Sequence, residues 1–257
     1  MRLTGFEDRA AFVTGAAGGI GVALVRLLRA SGAKVFATDR ADALAAQSLP
    51  TDCGIIWHGL DVRDGAAVDA ALAAAVRAFG PVSHGVHAAG VLSTQPLLGS
   101  TDEDWQRVID INAGGTFRVT RALGRHMAAE GKGAIVVIGS NAGGVPRQNM
   151  GSYAASKAAA AMLVRCLGLE LAPRGVRCNI VAPGSTLTPM QTGMWADDQG
   201  AARVIAGDLA SFKTGIPLGK IATPEDIAQA ALFLLSDQAG HVTMADLYVD
   251  GGATLRA

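Results

Sequence analysis

The sequence is poor in cysteine, in aromatic residues and in charged residues of either sign. Its three cysteines, Cys53, Cys166 and Cys178, are odd in number and form no CxxC pair, which predicts buried free thiols and argues against a disulfide framework or a zinc site. Lys plus Arg and Asp plus Glu both number 22. Because neither sign is in excess, neither nucleic acid nor a strongly basic partner is indicated.

Long apolar runs are also missing from the sequence. No run approaches the ~20 residues that a membrane-spanning helix needs. The stretch from Met1 to Asp8 is charged and lacks the apolar centre of a signal peptide. These features predict a soluble cytoplasmic protein with no metal and no membrane among its partners.

The chain is instead rich in apolar and small residues. Of its 257 residues, 50% are hydrophobic and 33 are glycine, which allows one large core. Short apolar runs alternate with longer amphipathic stretches, and this alternation predicts an α/β fold: a single Rossmann-type doubly wound parallel sheet with helices on both faces, in one domain over 1–257. Strands are predicted at 10–14, 34–39, 55–60, 82–88, 134–140, 177–182 and 247–249, and helices after the glycines near 20, at 64–78, 103–129 and 152–172, and from Pro224 behind Thr223.

One connection is too long for an ordinary loop between a strand and a helix. Residues 185–216 are rich in Thr, Gly, Met and Asp. Connections of this length without regular structure are usually functional, so the region is predicted to be a substrate flap.

The first predicted strand runs into a glycine-rich turn, and a predicted helix follows. The turn reads Thr14-Gly15-Ala16-Ala17-Gly18-Gly19-Ile20-Gly21. Glycines let the backbone approach a pyrophosphate, and the helix amino terminus offers free N–H groups and a partial positive charge. A glycine-rich turn alone is weak evidence for a nucleotide site, but its place between a predicted strand and a predicted helix predicts that it binds a dinucleotide.

Asp39 at the end of the second predicted strand bears on the choice of dinucleotide. A carboxylate there accepts hydrogen bonds from the adenosine ribose and repels a 2′-phosphate. The neighbouring Arg40 is a possible 2′-phosphate ligand, and Asp39 is also a good helix cap. The position at the strand end favours NAD over NADP.

A second cluster of polar residues surrounds the start of the 152–172 helix. Tyr153 and Lys157 are one helical turn apart and share a face. A tyrosine titrates near ~10, and the ammonium of Lys157 and the positive charge of an oxidised nicotinamide are expected to lower that pKa. Ser140 ends the preceding predicted strand, where its hydroxyl can bond a substrate oxygen beside Tyr153. The combination predicts an acid/base site.

At these residues the chain resembles the short-chain dehydrogenase/reductase family along nearly its whole length. The resemblance rests on TGxxxGxG at 14–21, Asp39, Asp61-Val62, Asn112, Ser140, the YxxxK of Tyr153 and Lys157, and Pro183-Gly184. It implies that Gly15, Gly19, Ile20, Gly21, Asp39, Asp61, Val62, Ala89, Gly90, Tyr153, Lys157, Pro183, Gly184, Ser185, Thr186 and Thr188 bind the cofactor.

The resemblance also implies roles in catalysis and in assembly. Tyr153 is the acid/base, Ser140 orients substrate, and Lys157 also binds the nicotinamide ribose. Asn112 kinks a helix, so that its backbone carbonyl binds a water in the proton relay. Members of the family assemble as tetramers, which implies a homotetramer joined through 103–129, 152–172 and the C-terminal strand.

One motif departs from the family pattern. Relatives often have Asn-Asn-Ala-Gly after the fourth strand, and this chain has His87-Ala88-Ala89-Gly90. Ala89 and Gly90 can still pass under the adenine ribose. His87 is interpreted as a packed, hydrogen-bonded histidine and not as a catalytic one.

The second half resembles a narrower group within the family, whose members oxidise a carboxylated cyclic diol. The residues that carry this likeness include Pro146-Arg147, Gly175-Val176-Arg177-Cys178-Asn179, Met190-Gln191, 212–222 and Val249-Asp250-Gly251-Gly252, while Thr192-Gly193 in the flap departs from it. The resemblance implies that a cyclohexadiene diol loses hydride to NAD⁺ and a proton to Tyr153, and then becomes a catechol used in siderophore synthesis.

The substrate carboxylate of that reaction needs a cation. Arg147 is the candidate, because it precedes Tyr153 and an arginine binds a carboxylate through two parallel hydrogen bonds. The alternative is that Arg147 is a solvent-facing loop arginine, in which case Lys213 or Gln191 is the next candidate to bind the carboxylate.

Two other functions stay open for the chain. One is a dehydrogenase of another cyclic or secondary alcohol or of a 3-oxoacyl thioester, and the other is a non-catalytic NAD-sensing or scaffold protein.

Overall fold

The computed structural model describes residues 3–255; residues 1–2 and 256–257, which the predicted domain 1–257 includes, lie outside the described residues. Within 3–255, seven strands pair in parallel in the order β3-β2-β1-β4-β5-β6-β7. This confirms the predicted doubly wound parallel sheet. The strands are β1 (Ala10–Thr14), β2 (Lys34–Asp39), β3 (Ile55–Gly59), β4 (Val82–His87), β5 (Gly133–Ile138), β6 (Val176–Pro183) and β7 (Asp246–Val249).

Helices cover both faces of the sheet and bury two separate apolar cores. On one face Leu24 and Leu28 meet Ile227 and Leu234. On the other face Leu72, Leu123 and Val164 pack together. The described helices are α1 (Gly19–Ala30), α2 (Ala41–Ala45), α3 (Gly65–Phe79), α4 (Asp102–Ile109), α5 (Gly115–Glu130), α6 (Gly151–Leu171), α7 (Pro189–Thr192), α8 (Gly200–Ala206) and α9 (Pro224–Leu235).

Local sequence signals explain where α9 begins. Pro224 occupies its first turn, and the Thr223 hydroxyl accepts the backbone N–H of Asp226 at 3.2 Å. The Asp226 carboxylate accepts the backbone N–H of Thr223 at 2.8 Å. This reciprocal capping satisfies two N–H groups that the helix itself cannot, so the predicted start is confirmed.

The predicted helix 103–129 is wrong in one respect, because the chain does not continue as one α-helix. A π-helical segment, Asp110–Gly114, separates α4 from α5. The Thr116 hydroxyl donates to the backbone carbonyl of Asn112 at 2.6 Å within this widened turn. π-Helical turns insert an extra residue and are frequent at functional sites.

Strand order reverses direction at β1, whose neighbours are β2 on one side and β4 on the other. In an open parallel sheet, a ligand crevice forms at this reversal, outside the carboxyl ends of the strands. The predicted flap region leaves the carboxyl end of β6 and holds the short helices α7 and α8. The bridge between Thr186 and Ala222 closes its base.

The cysteines are free, as predicted, but two of the three are not buried. Cys178 lies inside β6, whereas Cys53 and Cys166 are exposed. Cys53 precedes β3, and Cys166 lies on α6 at a position that faces away from the core. No helix within residues 3–255 is long and apolar enough to cross a bilayer.

Candidate active site

The glycine-rich turn after β1 tolerates no side chain at its tightest points. Gly15 has a φ of +67°, and a Cβ there would overlap the backbone of Ala89. A Cβ on Gly21 would overlap the carbonyl oxygen of Gly15. The first turn of α1, which lies wholly within the described residues, has no acidic side chain and no side-chain cap. The turn and the amino end of α1 therefore form an anion-binding cradle.

Asp39 is fixed beside this cradle. Its carboxylate accepts the backbone N–H of Ala17 at 3.0 Å and that of Arg40 at 2.8 Å. The Arg40 guanidinium turns away to Asp42, with Nε 2.9 Å from its Oδ1. Asp61 is engaged by Arg63 at 2.6 Å, and that guanidinium holds the pKa of the Asp61 carboxyl below its usual range.

His87 at the end of β4 is buried, which confirms the prediction of a packed, hydrogen-bonded histidine. Its Nδ1 lies 2.7 Å from the Thr14 hydroxyl, so it joins the ends of β4 and β1. Burial, together with the nearby charge of Lys157, lowers the pKa of His87 to about 3. The ring is therefore neutral at physiological pH and is not a proton carrier there.

Asn112 lies in the π-helical segment and links two other parts of the site. Its Oδ1 accepts the backbone N–H of Val91 at 2.8 Å. Its Nδ2 donates to the Val91 carbonyl and to the Ser156 hydroxyl, both at 2.9 Å. Sequence reasoning missed Val91 and Ser156, because only the fold brings them to Asn112.

Ser140, Tyr153 and Lys157 converge at the carboxyl end of β5. The buried Lys157 Nζ donates to the Ile138 carbonyl at 3.0 Å and lies 5.8 Å from the centre of the Tyr153 ring. Burial lowers the pKa of Lys157 to about 8. The Ser140 side chain is close enough to the Tyr153 hydroxyl to act on its pKa, in the lowering direction.

Among the protein groups, Lys157 does not lower the pKa of Tyr153 in this structure as expected. Burial raises the pKa of Tyr153, and only the Ser140 side chain acts in the opposite direction. A phenolate loses its hydration in this enclosed place, and that loss disfavours the charged form. The Lys157 ammonium is itself bonded to a carbonyl and does not reverse the effect.

A cavity of about 590 Å³ opens over these groups. Arg147 lines it, and its guanidinium has no ion-pair partner among residues 3–255. A Cβ on Gly19 would lie 2.9 Å from the Thr188 side chain, so the base of the flap adjoins the glycine turn. The predicted residues that line the cavity are Ile20, Gly90, Ser140, Arg147, Tyr153, Lys157, Pro183, Gly184, Ser185, Thr186 and Thr188.

The other predicted residues lie outside this cavity lining. Gly15, Gly19 and Gly21 form the turn, while Asp39, Asp61, Val62, Ala89 and Asn112 lie around it and behind it. The structure adds wall residues that sequence reasoning did not name, since no motif marks them: Leu92, Ile138, Met150, Met194 and Arg203.

A parallel sheet with a glycine cradle at its reversal point, and a Ser–Tyr–Lys cluster beside it, defines a nucleotide-dependent oxidoreductase class. A family model described as "Enoyl-(Acyl carrier protein) reductase" matches residues 15–254. The chain belongs to the short-chain dehydrogenase/reductase family, whose dehydrogenases use nicotinamide cofactors.

Two relatives and one solved structure are similar to this chain over nearly its whole length. The chain is 47% identical to 2,3-dihydro-2,3-dihydroxybenzoate dehydrogenase of Bacillus subtilis (strain 168), over 99% of both chains. It is 44% identical to the vibriobactin-specific enzyme of that name from Vibrio cholerae, over 95% of both. Among solved structures it resembles gox2181 with a TM-score of 0.85 and 31% identity, over 97% of each chain.

Two buried histidines predict how stability depends on pH. Burial lowers the pKa of His84 to about 4, as it lowers that of His87 to about 3. An unfolded histidine titrates near ~6.5, so the unfolded chain binds more protons below that pH. Stability from these groups is full above ~6.5 and falls as pH decreases, by up to ~1.4 kcal/mol per unit for each histidine.

Urea unfolding of the unmodified protein and of His87→Asn between pH 7 and pH 5, at one protein concentration, measures this slope. We expect the variant to show the shallower loss, since the remaining buried histidine is His84. His241→Asn removes an exposed histidine and should keep the original slope. Parallel slopes for all three proteins would show that His87 is protonated in the folded state.

Proposed function

We propose that the protein oxidises 2,3-dihydro-2,3-dihydroxybenzoate to 2,3-dihydroxybenzoate with NAD⁺, within catecholate siderophore synthesis. The observation that carries this is the unpaired Arg147 guanidinium in the same cavity as Ser140 and Tyr153. An acid/base cluster and a cation at one cavity suit an alcohol that also bears a carboxylate. Two full-length relatives are named for this activity.

The residues around the glycine turn fit a nicotinamide dinucleotide, since the cradle leaves no room for a Cβ at Gly15 or Gly21 and meets the amino end of α1. Gly15, Gly19, Ile20 and Gly21 are proposed to hold the pyrophosphate. The fixed carboxylate of Asp39 is proposed to bind the ribose. The remaining proposed contacts are Asp61 and Val62 to the adenine, Ala89 and Gly90 to its ribose, and Pro183, Gly184, Ser185, Thr186 and Thr188 to the nicotinamide end.

When bound, the cofactor supplies the hydride acceptor for the ring carbon. The Tyr153 oxygen takes the hydroxyl proton, while the Ser140 hydroxyl orients the same substrate oxygen. Lys157 lies near the Tyr153 ring, where its charge affects whether the Tyr153 oxygen holds a proton. Asn112 donates a hydrogen bond to Ser156 and so holds α6 in place. The ring ketone then tautomerises to the aromatic diol, which drives the oxidation forward.

The raised pKa of Tyr153 fits this proton transfer only if positive charge is added near the phenol. The oxidised nicotinamide carries such a charge, and burial lowers the pKa of the neighbouring Lys157 to about 8. The proton affinity of the pair is therefore proposed to fall when the oxidised cofactor binds.

Assembly as a homotetramer and a cytoplasmic location are also proposed. Exposed apolar side chains on the helices of one face support the assembly: Trp105 on α4, Phe117 on α5, and Met162 and Leu169 on α6. Large apolar side chains left exposed on neighbouring helices are consistent with an interface between subunits.

The direct test is NAD⁺ reduction at ~340 nm with the purified dihydrodiol acid, together with detection of the catechol product. We expect Tyr153→Phe to lose roughly 100- to 10,000-fold in kcat with little change in NAD⁺ affinity, because only the proton-transfer group is removed. Tyr248→Phe makes the same deletion on β7 and serves as control.

Catechol formation without a Tyr153 effect would remove that residue from the mechanism. If the enzyme turns over a 3-oxoacyl thioester or an uncharged cyclic alcohol but does not turn over the dihydrodiol acid, the alternative substrates are favoured. Cofactor binding without turnover of any of them would favour the sensor function.

Asp39 predicts the choice between the two cofactors. We expect a higher kcat/KM with NAD⁺ than with NADP⁺, since the fixed carboxylate repels a 2′-phosphate and Arg40 is engaged by Asp42. Asp39→Ala should shrink the ratio of the two values, whereas Asp69→Ala, an exposed acid on α3, should not. Equal kcat/KM for both cofactors in the unmodified enzyme contradicts the assignment.

Arg147 predicts the dependence on the substrate carboxylate. Loss of a charge-assisted hydrogen bond costs ~1.5–3 kcal/mol, so Arg147→Ala should raise KM for the acid roughly 10- to 150-fold and hardly affect an uncharged cyclic alcohol. Arg147→Lys should recover part, because lysine lacks the planar fork. Arg174→Ala, beyond the far end of α6, is the matched control.

Equal losses on the acid and the uncharged alcohol would make Arg147 a structural residue. An unchanged KM for the acid would place the carboxylate on another cation of the cavity.

A further inference from the structure

A second arginine, Arg203, reaches the substrate cavity from the flap. It lies on α8 and lines the same cavity as Arg147 and Tyr153. Its guanidinium meets the Asp197 carboxylate through two bonds, of 3.1 Å from Nη1 and 2.6 Å from Nη2. The two side chains are 53% and 50% exposed, so water competes with this ion pair.

The cavity wall has more positive than negative charge. Its charged residues are Arg147, Lys157, Arg203, Lys213 and Asp208. Lys157 is bonded to the Ile138 carbonyl at the catalytic end. Asp208 is occupied by its own turn, where it accepts the Ser211 hydroxyl at 2.6 Å and the Ala210 N–H at 3.1 Å.

We propose that Arg203 is a specificity-determining residue that binds the substrate carboxylate together with Arg147, and that Asp197 competes with this carboxylate for the Arg203 fork. The inference rests on the proposed function, since it requires a carboxylated substrate. Asp197 and the substrate present the same chemical group, and while Asp197 occupies Nη1 and Nη2 these two donors cannot form the same two-bond geometry with a second carboxylate.

The relative strength of the two pairings favours exchange. An ion pair as exposed as Arg203–Asp197 contributes little to stability. A carboxylate inside the cavity is partly withdrawn from water, so its charge-assisted bond to the same fork is stronger. A substrate carboxylate in the cavity can also pair with Arg147, whereas Asp197 pairs with Arg203 and not with Arg147.

The test measures equilibrium binding of 2,3-dihydroxybenzoate and of catechol, which lacks the carboxylate, to the enzyme with saturating NADH. Arg203→Ala should raise the Kd of the acid roughly 10-fold or more. Asp197→Asn removes the competing charge and should lower that Kd about two- to fivefold. Neither substitution should alter the Kd of catechol.

Two further variants, Asp197→Asn combined with Arg203→Ala and Arg203→Lys alone, distinguish competition for the Arg203 guanidinium from a purely structural role of the ion pair in the flap. Asp197→Asn should have no effect on acid binding when Arg203→Ala is already present, because the two residues act through one fork. Arg203→Lys should restore part of the acid affinity. Thermal unfolding of each variant establishes that the fold is retained.

The opposite directions of the two single effects decide the outcome. Weaker acid binding in Asp197→Asn, or equal changes for acid and catechol, would make the pair a structural brace of the flap and overturn the inference. If the unmodified enzyme binds the acid more tightly than catechol and the variants keep this preference, the inference about Arg203 is overturned while the proposed function stands. An unmodified enzyme that neither oxidises the dihydrodiol acid nor prefers 2,3-dihydroxybenzoate over catechol overturns the proposed function as well.

Discussion

Parallel pairing of every strand in the sheet forces the carboxyl ends of β1, β4, β5 and β6 onto one edge. The residues that follow these ends are distant in sequence but become neighbours: the glycine turn, Gly90, Ser140 and Gly184. The amino end of α1 is directed to the same edge by the short connection from β1. The location of the candidate site is therefore a consequence of sheet topology, and its side chains decide only the chemistry.

Buried polar groups make this edge rigid. Thr14 and His87 join the ends of β1 and β4, and Asn112 joins Val91 to Ser156 on α6. A buried polar group without a partner is costly, so each of these contacts favours one relative placement of two elements. The placement of α6, and with it Tyr153, against β5 depends on this network. Under the proposed mechanism the geometry of proton transfer tolerates little displacement.

Sequence reasoning located the strands to within about two residues and found the glycine turn, Ser140, Tyr153 and Lys157. These features are local: an apolar period, a turn composition, or a spacing of one helical turn. The break at Asp110–Gly114, the clamp of Asn112 on Ser156 and the raised pKa of Tyr153 were missed or wrong. Each depends on burial or on a partner far along the chain, which periodicity does not report.

Arg203 illustrates the same limit at the substrate end. Under the proposed mechanism, Ser140 and Tyr153 contact only the reacting alcohol group of the substrate, and that group is common to every substrate of such an enzyme. Selection among alcohols must then come from other residues that line the cavity, which include Arg147, Met190 and Gln191 as well as Arg203 on α8. No spacing or motif marks a cation on a short flap helix as a wall residue. Under the proposed mechanism, substrate selection therefore depends on Arg147 and on the flap, which are not fixed by a motif as the glycine turn and the Ser140–Tyr153–Lys157 cluster are.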